Sequence, residues 1–324
     1  MKIVLLGAAG FTGRAAAVLL ARRDDVGELI LVDYDIRNAK RLAKTLSPKC
    51  RWAMADVGKP LELSRLLEGI DAVASAVGPC AEYEKAVLLT CAASGIAAAT
   101  IGEGTIPAED RREIDGVFRG AGVPAVAGCG MMPGWTELLA AHFLDANDAA
   151  VHPILPAPSM RYLFFSPARF GGYAFLRGVA KGITGAAAAP AGAPAGSYFA
   201  LPDESRIGVP EGKAGTRLGK IVRTGEKLGA VGKEFSAALL LWTRGGMPEP
   251  ASTPVAVAGV AAGDRFARVE DPQGNLGAAL LAGTAVRLAT RPRKATGLLP
   301  LTDLFGREEA EAIAAAEGAR IVSA

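Results

Sequence analysis

The first 35 residues constrain the fold more than any other stretch of the chain. Residues 3–6 form a short apolar run, typical of a strand that is buried on both faces. Three glycines with the spacing GxxGxxG follow, and an Ala/Leu-rich segment then predicts a helix over residues 14–23. A second apolar strand is predicted over residues 29–32, and it ends in Asp33. This order of strand, glycine turn, helix and strand predicts a parallel βαβ unit with an acid at its far end.

Each part of this unit suits a dinucleotide. Gly7 permits a tight turn out of the strand, Gly10 lets the backbone approach a pyrophosphate, and Gly13 allows close packing of the helix. The N–H groups and the positive dipole end of that helix then face the phosphates. Asp33 is placed to accept hydrogen bonds from the adenosine ribose hydroxyls. We therefore predict a cofactor site here, the alternative being a glycine-rich turn without a ligand.

The type of nicotinamide cofactor is left open by these residues. The GxxGxxG variant recurs in NADP-using reductases, whereas the carboxylate of Asp33 would repel a 2′-phosphate. Arg37 is close enough in sequence to offer that phosphate a partner. The sequence therefore predicts NAD or NADP, with NAD favoured.

Composition limits the classes of function. The 324 residues are enough for two domains, and the formal charge of +3 is too small to indicate a nucleic-acid partner. No uncharged apolar run reaches the length of about 18 residues that a membrane span needs, so no transmembrane segment is expected. The four cysteines lack paired metal spacing and there are only two histidines, so we expect no metal site. The N-terminus begins with a core strand, not a signal peptide, which favours reduced thiols and a cytoplasmic location.

The βα pattern continues beyond the first unit. The further predicted strands are 51–55, 72–77, 96–101 and 123–127. Together the six strands predict an α/β fold with a doubly wound, Rossmann-type parallel sheet. Because ligands bind such sheets at the carboxyl ends of the strands, Asp56 and Val57 are expected at the adenine, a plain turn acid being the alternative for Asp56. The predicted cofactor-binding residues are Gly7, Gly10, Phe11, Thr12, Gly13, Asp33, Arg37, Asp56, Val57, Ala76, Val77 and Gly78.

The pattern changes in the middle of the chain. Between residues 151 and 250 there are twelve Lys or Arg against six Asp or Glu, a net charge of +6. Aromatic residues crowd between 162 and 175, and residues 255–269 predict a β-hairpin. We therefore predict a dinucleotide-binding domain over 1–150, an inserted α+β domain over 151–289, and a tail, 290–324, that packs back onto the first domain.

The middle segment also carries the predictions about partners. Its basic, partly aromatic character favours a small anionic substrate, with Arg161 and Arg169 as candidate carboxylate-binding residues. For both arginines a solvated surface position is the alternative. The aromatic cluster and the hairpin predict a homodimer formed through this domain. An internal lipid pocket or a membrane-facing surface would use the same aromatic residues differently.

Several motifs together resemble the saccharopine dehydrogenase-like family of NAD(P) oxidoreductases, which includes saccharopine reductases and lysine 6-dehydrogenases. The motifs are Gly7-Ala-Ala-Gly-Phe-Thr-Gly13, Leu31-Val-Asp33, Ala76-Val-Gly-Pro79, Cys91-Ala-Ala-Ser-Gly95, Met132-Pro-Gly-Trp-Thr136 and the segment 297–305. The resemblance covers residues 1 to about 145 well and the tail loosely. It implies a Rossmann domain, an inserted α+β domain and hydride transfer to or from a C=N or C–N carbon.

The residues that would handle a proton are less clear from the sequence. Tyr83 and Glu103 follow the ends of predicted strands and are candidate catalytic groups, with a merely solvated position as the alternative for each. Two other functions remain open. One is an enoyl or ketone reductase acting on a lipid-like acyl substrate, and the other is a non-catalytic protein that senses NAD(P).

Overall fold

The computed structural model describes residues 1–102, 106–144, 161–165, 185–189, 191–193, 195–200, 206–210, 256–290 and 295–324, together with residues 220, 224 and 227. The chain forms two compact units. Unit 1 consists of Met1–Gly134 and Asn275–Phe305, and unit 2 consists of Trp135–Gly274 and Gly306–Ala324.

The described strands and helices are numbered in chain order. The strands are β1 (Lys2–Leu6), β2 (Glu28–Val32), β3 (Cys50–Ala53), β4 (Ala72–Ser75), β5 (Ala97–Thr100), β6 (Pro124–Val126), β7 (Arg161–Phe165), β8 (Gly185–Ala187), β9 (Gly196–Ala200), β10 (Arg206–Pro210), β11 (Ala256–Ala262), β12 (Arg265–Asp271), β13 (Gly297–Leu298) and β14 (Arg320–Ser323). The helices are α1 (Phe11–Ala21), α2 (Ile36–Leu46), α3 (Pro60–Leu66), α4 (Cys80–Ala93), α5 (Ala108–Ala121), α6 (Trp135–Phe143), α7 (Leu276–Thr290) and α8 (Arg307–Ala316), with a 3₁₀ turn at Leu301–Asp303.

Unit 1 contains a seven-stranded parallel sheet in the order β13-β6-β5-β4-β1-β2-β3. Its centre is β1, where Ile3 pairs with Leu29 of β2 on one side and with Ala72 of β4 on the other. The last four residues of β1 are buried, which explains why this strand reads as a continuous apolar run. The sheet order reverses between β1 and β4, as in doubly wound folds. The predicted fold class is therefore confirmed, and the sheet gains one strand, β13.

Unit 2 contains a mixed seven-stranded sheet in the order β14-β12-β11-β7-β10-β9-β8. Among the described strands of this sheet, only β7 and β10 pair in parallel, and the other pairings are antiparallel. The predicted hairpin is present as β11 and β12, with Gly263 at φ +60° in its turn. Helix α6 packs against both hairpin strands, and α8 packs against α6 and β14. The second domain is thus α+β, as predicted.

The two units divide the chain at positions other than those predicted. Helix α7, expected in the middle domain, belongs to unit 1, where it packs on α1 and against β4 and β5. Ten of its fifteen residues are buried, many of them Ala or Gly, because small side chains let it lie close to the sheet. Residues 306–324, expected on the first domain, belong to unit 2, since β14 pairs with β12. Helix α6 also belongs to unit 2.

Candidate functional site

A cavity of about 730 Å³ opens in unit 1 at the carboxyl ends of β1, β2, β3 and β4. The lining residues are Gly7, Ala9, Gly10, Val32, Asp33, Tyr34, Asp35, Asn38, Ala55, Asp56, Val57, Ala76, Val77, Gly78 and Tyr83. This is the edge at which open parallel sheets bind ligands. Its volume lies within the range of small-molecule and cofactor sites.

The glycine turn forms one wall of the cavity, and two of its glycines are required by close backbone approach. Gly7 has φ +74°, and a Cβ there would lie 2.8 Å from the carbonyl oxygen of Ala76 at the end of β4. A Cβ on Gly13 would collide with the Gly7 carbonyl group and lie 2.9 Å from the Cα of Ala8. Gly13 therefore lets α1 pack directly on the glycine turn, and Gly7 lets that turn pack against the end of β4.

Gly10 differs from its two neighbours. Its φ of −68° and ψ of 171° are open to any residue. A Cβ there would meet one described atom within 4 Å, the Gly7 carbonyl oxygen at 3.2 Å. Gly10 gives α1 no side-chain cap, and the first turn of α1 contains no acidic residue, so no side chain of the helix itself neutralises its positive dipole end. The space beside Gly10 thus suits an anion.

Asp33 has a second role that the sequence did not reveal. One carboxylate oxygen, Oδ2, accepts a hydrogen bond of 2.7 Å from the backbone N–H of Ala9 in the glycine turn. The other, Oδ1, accepts one of 2.9 Å from the backbone N–H of Asp35. Hydrogen bonds to a charged acceptor are the stronger kind. Asp33 therefore braces the turn between β1 and α1, and it also lines the cavity.

At the β3 side the cavity is bordered by a short polar turn. Asp56 Oδ1 accepts a hydrogen bond of 3.0 Å from the backbone N–H of Gly58. The Lys59 ammonium lies 3.8 Å from Asp56 Oδ2 and 3.1 Å from Glu62 Oε1. Hydrogen bonding and charge attraction from Glu62, with a further contribution from Asp56, raise the pKa of Lys59. Asp56 therefore acts as a turn acid and also lines the cavity.

The structure brings together most of the predicted cofactor residues, although four do not line the cavity. Phe11 and Thr12 lie in the first turn of α1, and Phe11 is 46% exposed. Gly13 supports the turn from behind, and Arg37 is exposed on α2. The lining residues that the sequence did not single out are Ala9, Val32, Tyr34, Asp35, Asn38 and Ala55. Of these, Asp35 could have been recognised in the sequence as the N-cap of α2, because aspartate is a preferred N-cap residue. In the structure its side chain accepts a hydrogen bond of 3.2 Å from the backbone N–H of Asn38.

The candidate catalytic and substrate residues are placed less completely. Tyr83 lines the cavity from the first turn of α4. A hydrogen bond to the Glu82 carboxylate, with the charges of Glu82 and Asp56 adding to it, raises the pKa of Tyr83. Its proton is therefore harder to release than that of an ordinary tyrosine. Glu103, Arg169 and the side chain of Arg161 lie outside the described residues.

A buried polar cluster was missed from the sequence. Glu84 on α4 is 8% exposed, and its Oε1 accepts a hydrogen bond of 2.5 Å from the hydroxyl of Thr100 at the end of β5. Cys129 is buried nearby, and burial raises the pKa of its thiol to about 12. The signal was present in the helical spacing, since Glu84 follows Cys80 by four residues and precedes Val87 and Leu88 by three and four.

The N-terminal part of unit 1 matches a known protein family. Residues 3–114 match the family model of the saccharopine dehydrogenase NADP binding domain. The N-terminal part of the chain is therefore similar to the saccharopine dehydrogenase NADP binding domain. This agrees with the resemblance seen in the sequence motifs, and the matched domain supports the predicted NAD(P)-dependent oxidoreductase.

One solved structure shows the same fold over the whole chain. Apo saccharopine dehydrogenase (L-Glu forming) from Saccharomyces cerevisiae is similar with a TM-score of 0.60 and 12% identity, over 100% of this chain and 99% of that one. GenD2 from gentamicin A biosynthesis, in complex with NAD, has a TM-score of 0.49 and 15% identity, over 100% of this chain and 96% of that one. A comparison with curated proteins found no match.

Within the described parts of the chain, no group of three His, Cys, Asp or Glu side chains is placed to hold a metal ion. No described helix is both long enough and apolar enough to cross a membrane. All four cysteines lie in described regions, where each is buried and none forms a disulfide.

Proposed function

We propose that this saccharopine dehydrogenase-like chain transfers a hydride between a nicotinamide cofactor and the C–N or C=N carbon of a small anionic substrate. The observation that carries the proposal is the cavity of unit 1, which is lined by the glycine turn, including the N-cap residue Gly10 of α1, and by Asp33. The cofactor supplies the hydride when bound. The protein orients it and excludes water.

The cofactor residues divide along the cavity by chemistry. The glycine turn and the N-terminus of α1 would hold the pyrophosphate, because backbone N–H groups and the helix dipole favour negative charge there. Asp33 would accept hydrogen bonds from the adenosine ribose. Asp56 and Val57 at the end of β3 would contact the adenine. The residues after β4, from Ala76 to Gly78, would line the nicotinamide ribose.

We expect NAD to be preferred over NADP. The printed name of the matched family refers to NADP, but the cavity lining contains three carboxylates, Asp33, Asp35 and Asp56, and no Lys or Arg among the described residues. A 2′-phosphate near these carboxylates would be repelled, and exposed Arg37 does not line the cavity. The Kd for NAD, measured by calorimetry at low salt, should be at least about tenfold below that for NADP.

Asp33→Ala is expected to weaken both cofactors, and NAD more than NADP. The variant loses a ribose acceptor for NAD and removes the repulsion of a 2′-phosphate. It also leaves the Ala9 N–H without its acceptor, which costs about 1–3 kcal/mol and loosens the phosphate turn for either cofactor. Calorimetry with NAD and NADP checks this. An NADP affinity that rose above the wild-type value would contradict the bracing role of Asp33.

The function is tested by following nicotinamide absorbance with two substrate panels. The first pairs NAD or NADP with amino acids, and the second pairs the reduced cofactors with mixtures of 2-oxo acids and amines. Turnover on either, absent in a Gly10→Val control, supports the proposal. Turnover confined to enoyl or ketone acyl substrates would favour the lipid-type reductase. Cofactor binding without turnover on any panel would favour a sensor.

The anionic character of the substrate is a separate part of the proposal. It rests on the net charge of +6 between residues 151 and 250, with Arg161 and Arg169 as the carboxylate-binding candidates. Turnover on an active substrate should fall as ionic strength rises, and it should fall further in Arg161→Ala and Arg169→Ala. Turnover that responds to neither change would remove this part of the proposal.

We also propose a cytoplasmic homodimer formed through the second unit. The hairpin contributes less to this than expected, because β11 and β12 are interior strands and most of β11 is buried. The aromatic segment between residues 162 and 175 therefore carries the proposal. Light scattering should give a mass near twice the 33.2 kDa of one chain. A monomer at micromolar concentration would exclude the dimer and favour an internal lipid pocket.

A further inference from the structure

We infer that Tyr34 and Tyr83 form an aromatic clamp for the purine ring of the cofactor at the β3 side of the cavity. The inference rests on the proposed function in one respect, namely that the cavity binds a dinucleotide. It assigns a binding role to Tyr34, which the sequence did not single out. It also assigns Tyr83 to cofactor binding, where the sequence offered it as a proton-handling group.

Tyr34 approaches this part of the cavity from the end of β2. It follows Asp33 directly, lines the cavity and is 79% exposed. Lys59, whose pKa is raised by Glu62 and, less strongly, by Asp56 and Tyr34, lies 3.8 Å from Asp56. Tyr34, Asp56 and Val57 line the same cavity, so Tyr34 and the polar turn after β3 face one space. Covering such an exposed tyrosine ring with a flat apolar surface is favourable, because it removes apolar surface from water.

Tyr83 reaches the same turn from a different element. It lies in the first turn of α4, and its ring atom Cε1 is 3.6 Å from the position that a Cβ on Gly58 would occupy. The charge of Asp56 also acts on its hydroxyl. The two tyrosines thus border one short segment, Asp56 to Lys59, from β2 and from α4. Ala55 and Val57 provide an apolar lining between them.

The chemistry of this part of the cavity fits a purine. Two phenol rings and two small apolar side chains offer faces and edges to a flat heteroaromatic ring. The Asp56 carboxylate, which lines the same region, can accept a hydrogen bond from an exocyclic amine. Proton transfer by Tyr83 at the hydride-accepting carbon is the competing role, and the test below separates the two roles.

The test uses ADP-ribose, which carries the adenine half of the cofactor and no nicotinamide ring. Tyr34→Leu and Tyr83→Leu should each raise the Kd for ADP-ribose about tenfold, the loss expected for one stacking partner. Tyr34→Phe and Tyr83→Phe keep the ring and should bind within about twofold of the wild type. Val117→Ala, an exposed site on α5 away from the cavity, is the matched control. Apo thermal unfolding shows whether each variant is folded.

The possible results separate this inference from the proposed function. If the wild type binds ADP-ribose and both leucine variants bind it equally well, the clamp is wrong and the proposed function is untouched. If the wild type binds neither ADP-ribose nor NAD, both fail together. If Tyr83→Leu binds ADP-ribose as the wild type does while Tyr83→Phe loses turnover at saturating cofactor, Tyr83 acts in proton transfer and its assignment to the clamp is overturned. Loss in the leucine variants with retention in the phenylalanine variants supports the clamp.

Discussion

Gly10→Val is expected to abolish cofactor binding while the chain remains folded. The backbone at Gly10 accepts any residue, and the added Cβ would approach one described atom, the Gly7 carbonyl oxygen at 3.2 Å. That crowding should lower the free energy of unfolding by about 1 kcal/mol. The rest of the side chain would enter the cavity beside the N-terminus of α1, where the pyrophosphate is proposed to lie. The affinity for NAD should fall at least about a hundredfold.

Calorimetry with NAD measures this effect, and chemical denaturation measures the stability of the same preparations. Gly10→Ala serves as the intermediate case, since it adds the Cβ without the two further methyl groups. A Gly10→Val variant that bound NAD with the wild-type affinity would show that the pyrophosphate lies elsewhere. A variant that failed to fold would instead contradict the structural tolerance inferred at this position.

Gly13→Ala is expected to have the opposite profile, with a large loss of stability. Its Cβ would collide with the Gly7 carbonyl group and come within 2.9 Å of the Cα of Ala8, and both are backbone atoms that cannot rotate away. Moving α1 off the turn would also disturb its packing against α7. The free energy of unfolding should fall by about 3 kcal/mol.

The matched control for Gly13→Ala is Gly116→Ala. Gly116 is also a glycine inside a helix, α5, but a Cβ there would meet nothing within 4 Å. This control should raise the free energy of unfolding by about 0.5–1 kcal/mol, because alanine restricts the unfolded chain and suits a helix. Urea denaturation of both variants tests the pair. Equal effects at the two sites would mean that helix propensity, and not the contact with the turn, determines the result at Gly13.

Much of unit 1 could be predicted because its signals are local. Buried parallel strands read as unbroken apolar runs, and the glycine turn combines backbone requirements that few other residues meet. Two features escaped for physical reasons. Strand β13 is two residues long, too short to show any periodicity, and its pairing with β6 depends on a return of the chain from far away in sequence. The sequence of helix α7 does not show to which domain the helix belongs, because an apolar helix can cover either sheet.

The site was predictable where chain order fixes position and less so where side chains meet across elements. The ends of β1, β2, β3 and β4 had to converge on one edge, so Gly10, Asp33 and Asp56 could be placed from the sequence. The hydrogen bond from the Ala9 N–H to Asp33 joins residues that are 24 positions apart, and no sequence pattern predicts it. Tyr83 looked catalytic because it follows β4 in the sequence. Its ring also lies near Gly58, a contact that depends on the geometry of α4 and that the sequence does not show.

The brace formed by Asp33 has a consequence for anyone who wishes to change the cofactor preference of this protein. The carboxylate that would discriminate between the two dinucleotides is also the acceptor that holds the Ala9 N–H in place. Replacing Asp33 with a small or basic residue would therefore remove the repulsion of a 2′-phosphate. It would also destabilise the glycine turn that is proposed to bind the pyrophosphate. A successful redesign has to install a new acceptor for that N–H, for example from a neighbouring side chain, before the acid is removed. Cofactor preference and pyrophosphate binding are thus linked through the Asp33 side chain and have to be engineered together.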